Sequence, residues 1–147
     1  MYPTAGKLVA AVLFAALAWI VCDLARDEFP QRVTFGWVSE AGALLGLVLG
    51  WRILGRQAGR GAAATAGAAL TTAILFAVFG LALWAFVDTL MRISPSRLDG
   101  PFEALEEAVY LAIERARRLI ATDAAAVLFA GSLVAGAITE FVARRYP

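Results

Sequence analysis

The sequence predicts an all-α integral membrane protein: a four-helix transmembrane bundle with one amphipathic interfacial helix between the third and fourth spans. Of its 147 residues, 61% are hydrophobic and only 17% are charged, and the mean hydropathy is +0.75. This apolar share exceeds that of a soluble domain, so the excess has to face lipid. Four spans of about 20 residues with short connections would use nearly the whole chain, which is expected to form a single membrane domain.

The first predicted span covers residues 5–25. An uncharged apolar run from Leu8 to Cys22 follows Lys7, and its neighbours extend it to about 20 residues. A cleaved signal peptide is the alternative, because Ala16-Leu17-Ala18 has the small-x-small pattern of a cleavage site. The run continues apolar beyond that site, so we favour an uncleaved helix.

The second predicted span, residues 40–56, depends on a glycine pattern, because Arg52 near its end weakens the hydropathy signal. Gly42, Gly46 and Gly50 recur at every fourth residue and therefore line one face of a helix. Glycine costs a helix about 1 kcal/mol relative to alanine in water, so three at this spacing need a packing reason. In membranes, small residues at this spacing let two helices approach closely.

The third and fourth spans, residues 62–90 and 123–143, are predicted from length and composition. No charge occurs from Gly61 to Val87, and this run would form about 40 Å of helix. A helix of that length must tilt or protrude from the bilayer. In the fourth span, Gly131 and Gly136 supply further small residues for helix packing.

Residues 101–120 predict an amphipathic helix at the membrane surface. Gly100 and Pro101 suit the N-cap and the first helical position, and Glu103 suits the positive end of the helix dipole. Apolar side chains then recur every three or four residues, opposite a charged face. The apolar positions are Phe102, Leu105, Val109, Ile113, Ala116 and Ile120, and the charged ones are Glu103, Glu106, Glu107, Glu114, Arg117 and Arg118.

The basic residues indicate the orientation in the membrane. With four spans both termini share one side. The second loop and the end of the span before it carry Arg52, Arg56 and Arg60 without an acid, whereas the first loop with its flanking residues, 23–40, has two arginines among four acids. Lys and Arg in short loops favour the cytoplasmic side. We therefore expect both termini and the second loop in the cytoplasm, with the amphipathic helix on the outer surface.

The residue types that are missing narrow the functional classes. The chain has no histidine, one cysteine and a net charge of +1. These counts argue against histidine-ligated metal or haem, Ser-His or Cys-His nucleophile pairs, structural zinc and disulfides, and they give no reason to expect nucleic acid as a partner. We predict no catalytic residue, cofactor or metal, and expect Cys22 to be a small apolar packing residue.

Arg52, Arg56 and Arg60 are the candidate ligand-binding residues. Their guanidinium groups, four residues apart at the end of the second helix, would present several donors to an oxyanion. The alternative is that they set the topology and bind lipid phosphate, and we favour that interpretation.

Arg52 and Glu140 form a candidate intramembrane ion pair, because both are expected at the same depth on different helices. The local alternative for Glu140 is Arg144, one turn further along the same helix. At the opposite ends of the helices the sequence places four acids, which are Asp23, Glu40, Asp88 and Asp123. They suggest either a cation vestibule or solvated helix ends, and we favour the solvated ends.

Several separated strings resemble one family. They are Pro3-Thr4-x-x-Lys7-Leu8-Val9, Phe35-Gly36-Trp37, Gly50-Trp51-Arg52, Arg56-x-Ala58-Gly59-Arg60-Gly61, Asp99-Gly100-Pro101-x-Glu103-Ala104-Leu105 and Glu140-Phe141-x-Ala143-Arg144-Arg145. Together, and in this order, they resemble the TrgA-type tellurite-resistance membrane proteins of alphaproteobacteria. The resemblance implies a bacterial inner-membrane protein linked to tellurite resistance, without a settled mechanism. That family usually carries asparagines where residues 41–67 here contain alanine and glycine, which weighs against a polar function inside the bundle.

Three functions follow as expectations. The first is a non-enzymatic factor in tellurite resistance, which would need a homo-oligomer or a partner, because four short helices with few buried polar groups make a poor transporter. The second is a structural or accessory subunit, or an assembly factor, that packs against a larger membrane complex. The third, a tellurite reductase, is disfavoured by the missing histidine and the solitary Cys22. The expected partners are the lipid bilayer and further membrane proteins or copies of the chain.

Overall fold

The computed structural model describes residues 4–26, 38–92 and 100–146, and these ranges are helical apart from short turns. The helices are α1 (Ala5–Arg26), α2 (Val38–Gln57), α3 (Ala62–Arg92), α4 (Pro101–Ile120) and α5 (Asp123–Arg145). The described ranges contain no strand, so the prediction of an all-α chain is confirmed for them. Phe35-Gly36-Trp37, Pro3 and Asp99 of the strings quoted above lie outside the described residues.

Four of the described helices are long and apolar enough to cross a membrane: α1, α2, α5 and Ala62–Thr89 of α3. Each has 20 or more residues, and 20 residues of α-helix span the roughly 30 Å of a hydrocarbon core. Their outward faces carry large apolar side chains, such as Val12 at 63% exposure, Leu44 at 66% and Val134 at 59%. Apolar surface of this extent fits contact with lipid. These helices indicate a multi-pass membrane protein, as predicted.

Helix α1 packs against both α2 and α5. Helix α3 packs against α5 and α4, and it also contacts α2. The buried face of α1 includes Ala10, Phe14 and Ala18. The rings of Phe14 and Phe76 meet edge to face with their centroids 6.3 Å apart. This geometry is favoured for aromatic pairs, so the contact joins α1 to α3 inside the core.

The glycine face of α2 lies directly against α1. A Cβ atom added at Gly46 would lie 2.5 Å from the Cβ of Ala18, and one added at Gly50 would lie 2.7 Å from the carbonyl oxygen of Ala10. Gly42 continues the same contact toward the start of α2. These separations are shorter than van der Waals contact, so glycine is what lets the two backbones approach this closely.

Two glycines of α5 make the corresponding contacts on its two sides. Gly131 faces the side chain of Leu17 of α1, and a Cβ atom added at Gly136 would lie 3.0 Å from the Cβ of Ala69 of α3. Helix α5 is therefore packed closely between α1 and α3 through small residues.

The winding of α2 changes between Gly50 and Leu54, where it forms a π-helical segment. The backbone N–H of Gly55 donates to the carbonyl oxygen of Gly50, five residues earlier. The extra residue keeps Gly55 on the face that meets α1, since a Cβ atom added there would lie 3.0 Å from the Cα of Lys7. Arg52, inside the segment, is exposed. Such π segments recur at functional sites.

Candidate functional site at the basic end of the bundle

One end of the bundle gathers a group of basic side chains. The start of α1, the loop between α2 and α3 and the end of α5 meet there, since a Cβ atom added at Gly6 would lie 3.0 Å from the Cβ of Ala143 and 3.3 Å from that of Ala58. The basic residues of this region, which we call the basic end, are Lys7, Arg52, Arg56, Arg60, Arg144 and Arg145. Four of the strings that carry the family resemblance contribute to it, which makes it the candidate functional site.

The carboxylate of Glu140 lies at the centre of the basic end. It accepts hydrogen bonds from the backbone N–H of Gly59 at 2.7 Å, the backbone N–H of Gly61 at 3.0 Å and the hydroxyl of Thr65 at 2.7 Å. The Nε of Arg144 donates to the same carboxylate at 2.8 Å. Glu140 is only 6% exposed, and a buried carboxylate needs such donors to remain charged. These bonds fasten the end of α5 to the loop and first turn of α3.

The glycine residues of the loop between α2 and α3 allow it to direct two backbone N–H groups toward Glu140. Gly59 has a φ of +84° and Gly61 a φ of +119°. These values lie in the left-handed region, which glycine adopts without the steric penalty of a Cβ atom. The two amides converge on one carboxylate, in the manner of the backbone concavities that bind anions. Here the anion is a side chain of the protein itself.

The predicted ion pair between Arg52 and Glu140 is wrong. Arg52 is exposed on the π segment, whereas the carboxylate of Glu140 is covered by the loop after α2. The partner of Glu140 is Arg144 on the same helix, which is the local alternative that the sequence left open. The loop amides already satisfy the buried carboxylate, so no cationic side chain has to reach it from α2.

The three candidate arginines lie on different kinds of backbone. Arg52 is in the π segment, Arg56 is in the last turn of α2, and Arg60 is in the loop between Gly59 and Gly61. They therefore do not lie on one regular helix face, although their four-residue spacing predicts one. All three are exposed, so their guanidinium donors are accessible at the surface of the basic end.

A second buried polar contact joins α3 to α4 near the other end of the bundle. The Nη2 of Arg115 donates to Oδ2 of Asp88 at 2.7 Å, and the guanidinium lies 5.1 Å from the centre of the Trp84 ring. Asp88 is 1% exposed and Arg115 is 7% exposed. Asp88 is therefore not a solvated helix end, because α4 covers it. The other three acids that the sequence places at this end of the helices are exposed: Asp23, Glu40 and Asp123.

The role of Arg115 is not predicted from the sequence, although a signal for it exists. Arg115 lies four residues after Leu111 and four before Leu119, in the column of α4 that also contains the buried Ala108. Residues four apart share a helix face, so this arginine occupies the face that packs on the bundle. A charge within a column of apolar residues indicates a buried partner, here Asp88.

The bonds of Glu140 to the loop and of Arg115 to Asp88 connect different elements of the bundle. A further example is Arg26 at the end of α1, whose Nη2 donates to the hydroxyl of Ser39 on α2 at 2.9 Å. Within residues 4–26, 38–92 and 100–146, no three Cys, Asp or Glu side chains lie close enough together to hold a metal ion. The arrangement can thus fix helix positions and present guanidinium donors at the basic end.

Comparison with protein-family models, curated proteins and solved structures finds no match to this chain. The likeness to the TrgA-type family therefore depends on the short strings quoted above.

Proposed function

We propose that this chain is a non-enzymatic, multi-pass protein of the bacterial inner membrane that contributes to tellurite resistance. The observation that carries the proposal is the convergence of four resemblance-carrying strings at the basic end, although they are far apart in sequence. Two of them meet directly, where Glu140 bonds to the amides of Gly59 and Gly61. Residues that resemble those of a family and are assembled in one place are candidates for the family's role.

In this proposal the basic end lies in the cytoplasm, together with both termini. Arg52, Arg56 and Arg60 there contact oxyanions, either tellurite or the phosphate of lipid headgroups. Guanidinium groups suit both ligands, because they donate in a planar fork that matches two oxygen atoms at once. Glu140 neutralises the inward-facing donors of the loop, which leaves the exposed arginines as the anion-binding groups.

The double variant Arg56→Gln/Arg60→Gln tests this function. It removes two exposed guanidinium groups without touching the bonds of Glu140, so we expect normal membrane insertion and loss of tellurite resistance in a growth assay. Arg117→Gln/Arg118→Gln is the matched control, because it removes two exposed arginines from α4. Full resistance in the first variant, with normal insertion, would reject the role of the basic end.

Helix α4 is proposed to lie in the outer membrane–water interface as an amphipathic helix. One side packs against α3 through Arg115. An adjoining stripe is apolar and exposed, with Phe102 at 85%, Leu105 at 60% and Ile113 at 53% exposure. The remaining side carries the charged residues. A helix with these three sides can contact the bundle, the acyl chains and water at the same time.

A structural or accessory subunit of a larger membrane complex is the second candidate. The observation that favours it is that the buried side chains of Glu140, Thr65 and Asp88 bond to neighbouring helices or loops. Such groups hold a scaffold together, whereas transporters place them along a pathway. Purification from native membranes in a mild detergent separates the two functions: stoichiometric co-purification of a larger complex supports the accessory role, and the chain alone or as a homo-oligomer contradicts it.

A further inference from the structure

An apolar cavity of about 360 Å³ lies between α1, α2, α3 and α5, and the last turn of α4 closes one side of it. Its volume is within the range of small-molecule pockets, roughly 300–1,000 Å³. The lining side chains are aliphatic or aromatic, and their polar groups are the thiol of Cys22 and the indole N–H of Trp84. A polar or charged ligand would find few partners in it, so the occupant of the cavity itself must be hydrocarbon.

The cavity is a slot that runs along α3 and opens sideways. Its lining residues on α3 extend from Ile74 to Val87, a distance of about 20 Å at 1.5 Å per residue. Ile74 lies near the middle of the α3 span and Val87 near its end. Lining residues such as Ile74 and Val78 are 52% and 55% exposed. In a bilayer the slot would therefore be open to lipid over the depth of about one leaflet.

A cationic group lies beside the end of the slot that is nearer the membrane boundary. Arg26 directly follows the lining residue Ala25, and its hydrogen-bond partner Ser39 directly follows the lining residue Val38. The Nε of Arg26 is buried and, among the described residues, has no hydrogen-bond acceptor. An unpaired buried donor of this kind is costly. An anionic oxygen bound at this end would satisfy it.

We infer that the slot binds one acyl chain of a phospholipid from the leaflet that faces α4, and that Arg26 contacts the lipid phosphate. The apolar walls exclude water from the chain, and the slot has the orientation and depth of a chain in that leaflet. The phosphate lies at the boundary, where the end of α1 and the start of α2 meet. The site therefore joins α1, α2, α3 and α5 through a lipid.

The charges around Arg26 favour a zwitterionic headgroup. Asp23 precedes Arg26 by three residues and Glu40 follows Ser39, and both carboxylates are exposed. They would repel a headgroup with a net negative charge and attract an ammonium group. Phosphatidylethanolamine carries both a phosphate for Arg26 and an ammonium group for these acids. Phosphatidylethanolamine is therefore the phospholipid that we choose to test the site.

The test is native mass spectrometry of the delipidated full chain in detergent, titrated with phosphatidylethanolamine. Diacylglycerol with the same acyl chains is the control ligand, because it lacks the phosphate. We expect one phosphatidylethanolamine per chain, bound about tenfold more tightly than diacylglycerol. Diacylglycerol has no phosphate and therefore cannot accept the charged hydrogen bond from Arg26. In Arg26→Gln this difference should disappear, whereas Ser39→Ala, which leaves the guanidinium in place, should retain it.

Two adjacent alanines provide matched variants for the slot itself. Ala125 lines it, whereas the neighbouring Ala126 is exposed and lies outside it. Ala125→Phe should reduce bound phosphatidylethanolamine at least tenfold, and Ala126→Phe should change it less than twofold. If Ala125→Phe does not fold, Ala77→Phe on α3 fills the same slot from the other side.

Three results would overturn the inference. In the first, the natural chain binds phosphatidylethanolamine no more tightly than diacylglycerol. In the second, Ala125→Phe and Ala126→Phe reduce the amount of bound phosphatidylethanolamine equally. In the third, the natural chain binds free oleate more tightly than phosphatidylethanolamine. The last result would mean that the slot accepts a fatty acid and not a phospholipid.

Discussion

Glu140 accepts hydrogen bonds from donors of three different parts of the chain: the loop after α2, the first turn of α3 and its own helix α5. Two of the donors are backbone amides, which only a substitution by proline would remove. The carboxylate is buried, so its charge is stabilised by these bonds and not by water. At the scale of single residues, Glu140 is therefore the group on which the geometry of the basic end depends.

Replacement of this carboxylate by an amide should destabilise the protein. Glu140→Gln keeps the size of the side chain but removes the charge and turns an N–H group toward the donors of Gly59, Gly61 or Thr65. Hydrogen bonds to a buried charged group are worth roughly 1.5–3 kcal/mol, and we expect a loss of this size in thermal unfolding followed in detergent.

Glu114→Gln is the matched control for this measurement. Glu114 pairs with Arg118 one turn later at 2.9 Å, but both side chains are largely exposed. An exposed pair of this kind contributes at most about 0.5 kcal/mol. Equal destabilisation by the two substitutions would mean that the bonds of Glu140 do not hold the basic end together.

The partners of Glu140 could be predicted only in part. Its position near the end of the last span and its pairing with Arg144 follow from hydropathy and from the four-residue spacing. The bonds to the loop could not be predicted, because glycine residues such as Gly59 and Gly61 can adopt many backbone conformations. The arrival of α5 beside the loop selects one of them, and such a long-range contact leaves no local pattern in the sequence.

At the scale of the helices, α2 packs closely against α1 through a face of glycines. The glycines of α2 lie at intervals of four, four and five residues, and the longer interval coincides with the π segment from Gly50 to Leu54. A regular α-helix would rotate Gly55 away from α1 by about 100° per added residue, since it has 3.6 residues per turn. The π segment compensates for this rotation and extends the glycine contact to Lys7.

An alanine on this face should force the two helices apart. At Gly46 the added methyl group would meet the Cβ of Ala18 at 2.5 Å and the carbonyl oxygen of Phe14 at 2.8 Å. Overpacking of this kind costs roughly 1–3 kcal/mol, so Gly46→Ala should lower the midpoint of thermal unfolding in detergent.

Gly67→Ala is the control, because a Cβ atom at Gly67 of α3 meets no other atom within 4 Å. Alanine also favours helix over glycine by about 1 kcal/mol in water, so this variant should be at least as stable as the natural chain. A Gly46→Ala variant as stable as Gly67→Ala would contradict the close packing of α1 and α2.

The helices could be predicted more completely than the contacts between them. Long uncharged runs indicate the spans, because charge is expensive in hydrocarbon, and the glycine interval indicates a packing face on α2. The pair of Asp88 and Arg115 could be predicted only in part, since the apolar column around Arg115 indicates a buried partner but does not identify it as Asp88. Only the docking of α4 on α3 buries them together.

At the scale of the whole molecule, the charged residues that the structure describes divide between the two ends of an apolar bundle. The basic end contains Glu140 and the exposed arginines. The other end contains α4, the buried pair of Asp88 and Arg115, and one end of the apolar slot. Four spans place these two ends on opposite sides of a membrane. The arginines around the second loop predict that the basic end faces the cytoplasm, and this orientation remains a proposal.

Cysteine accessibility from the two sides of the membrane tests this arrangement most directly. In a Cys22→Ser background, single cysteines replace Arg60 in the loop after α2 and Tyr110 on the exposed side of α4. With an impermeant thiol reagent, Tyr110→Cys should be labelled in right-side-out vesicles and Arg60→Cys only in inside-out vesicles. Labelling of both positions from the same side would contradict the four-span bundle, and a reversed pattern would contradict a cytoplasmic basic end.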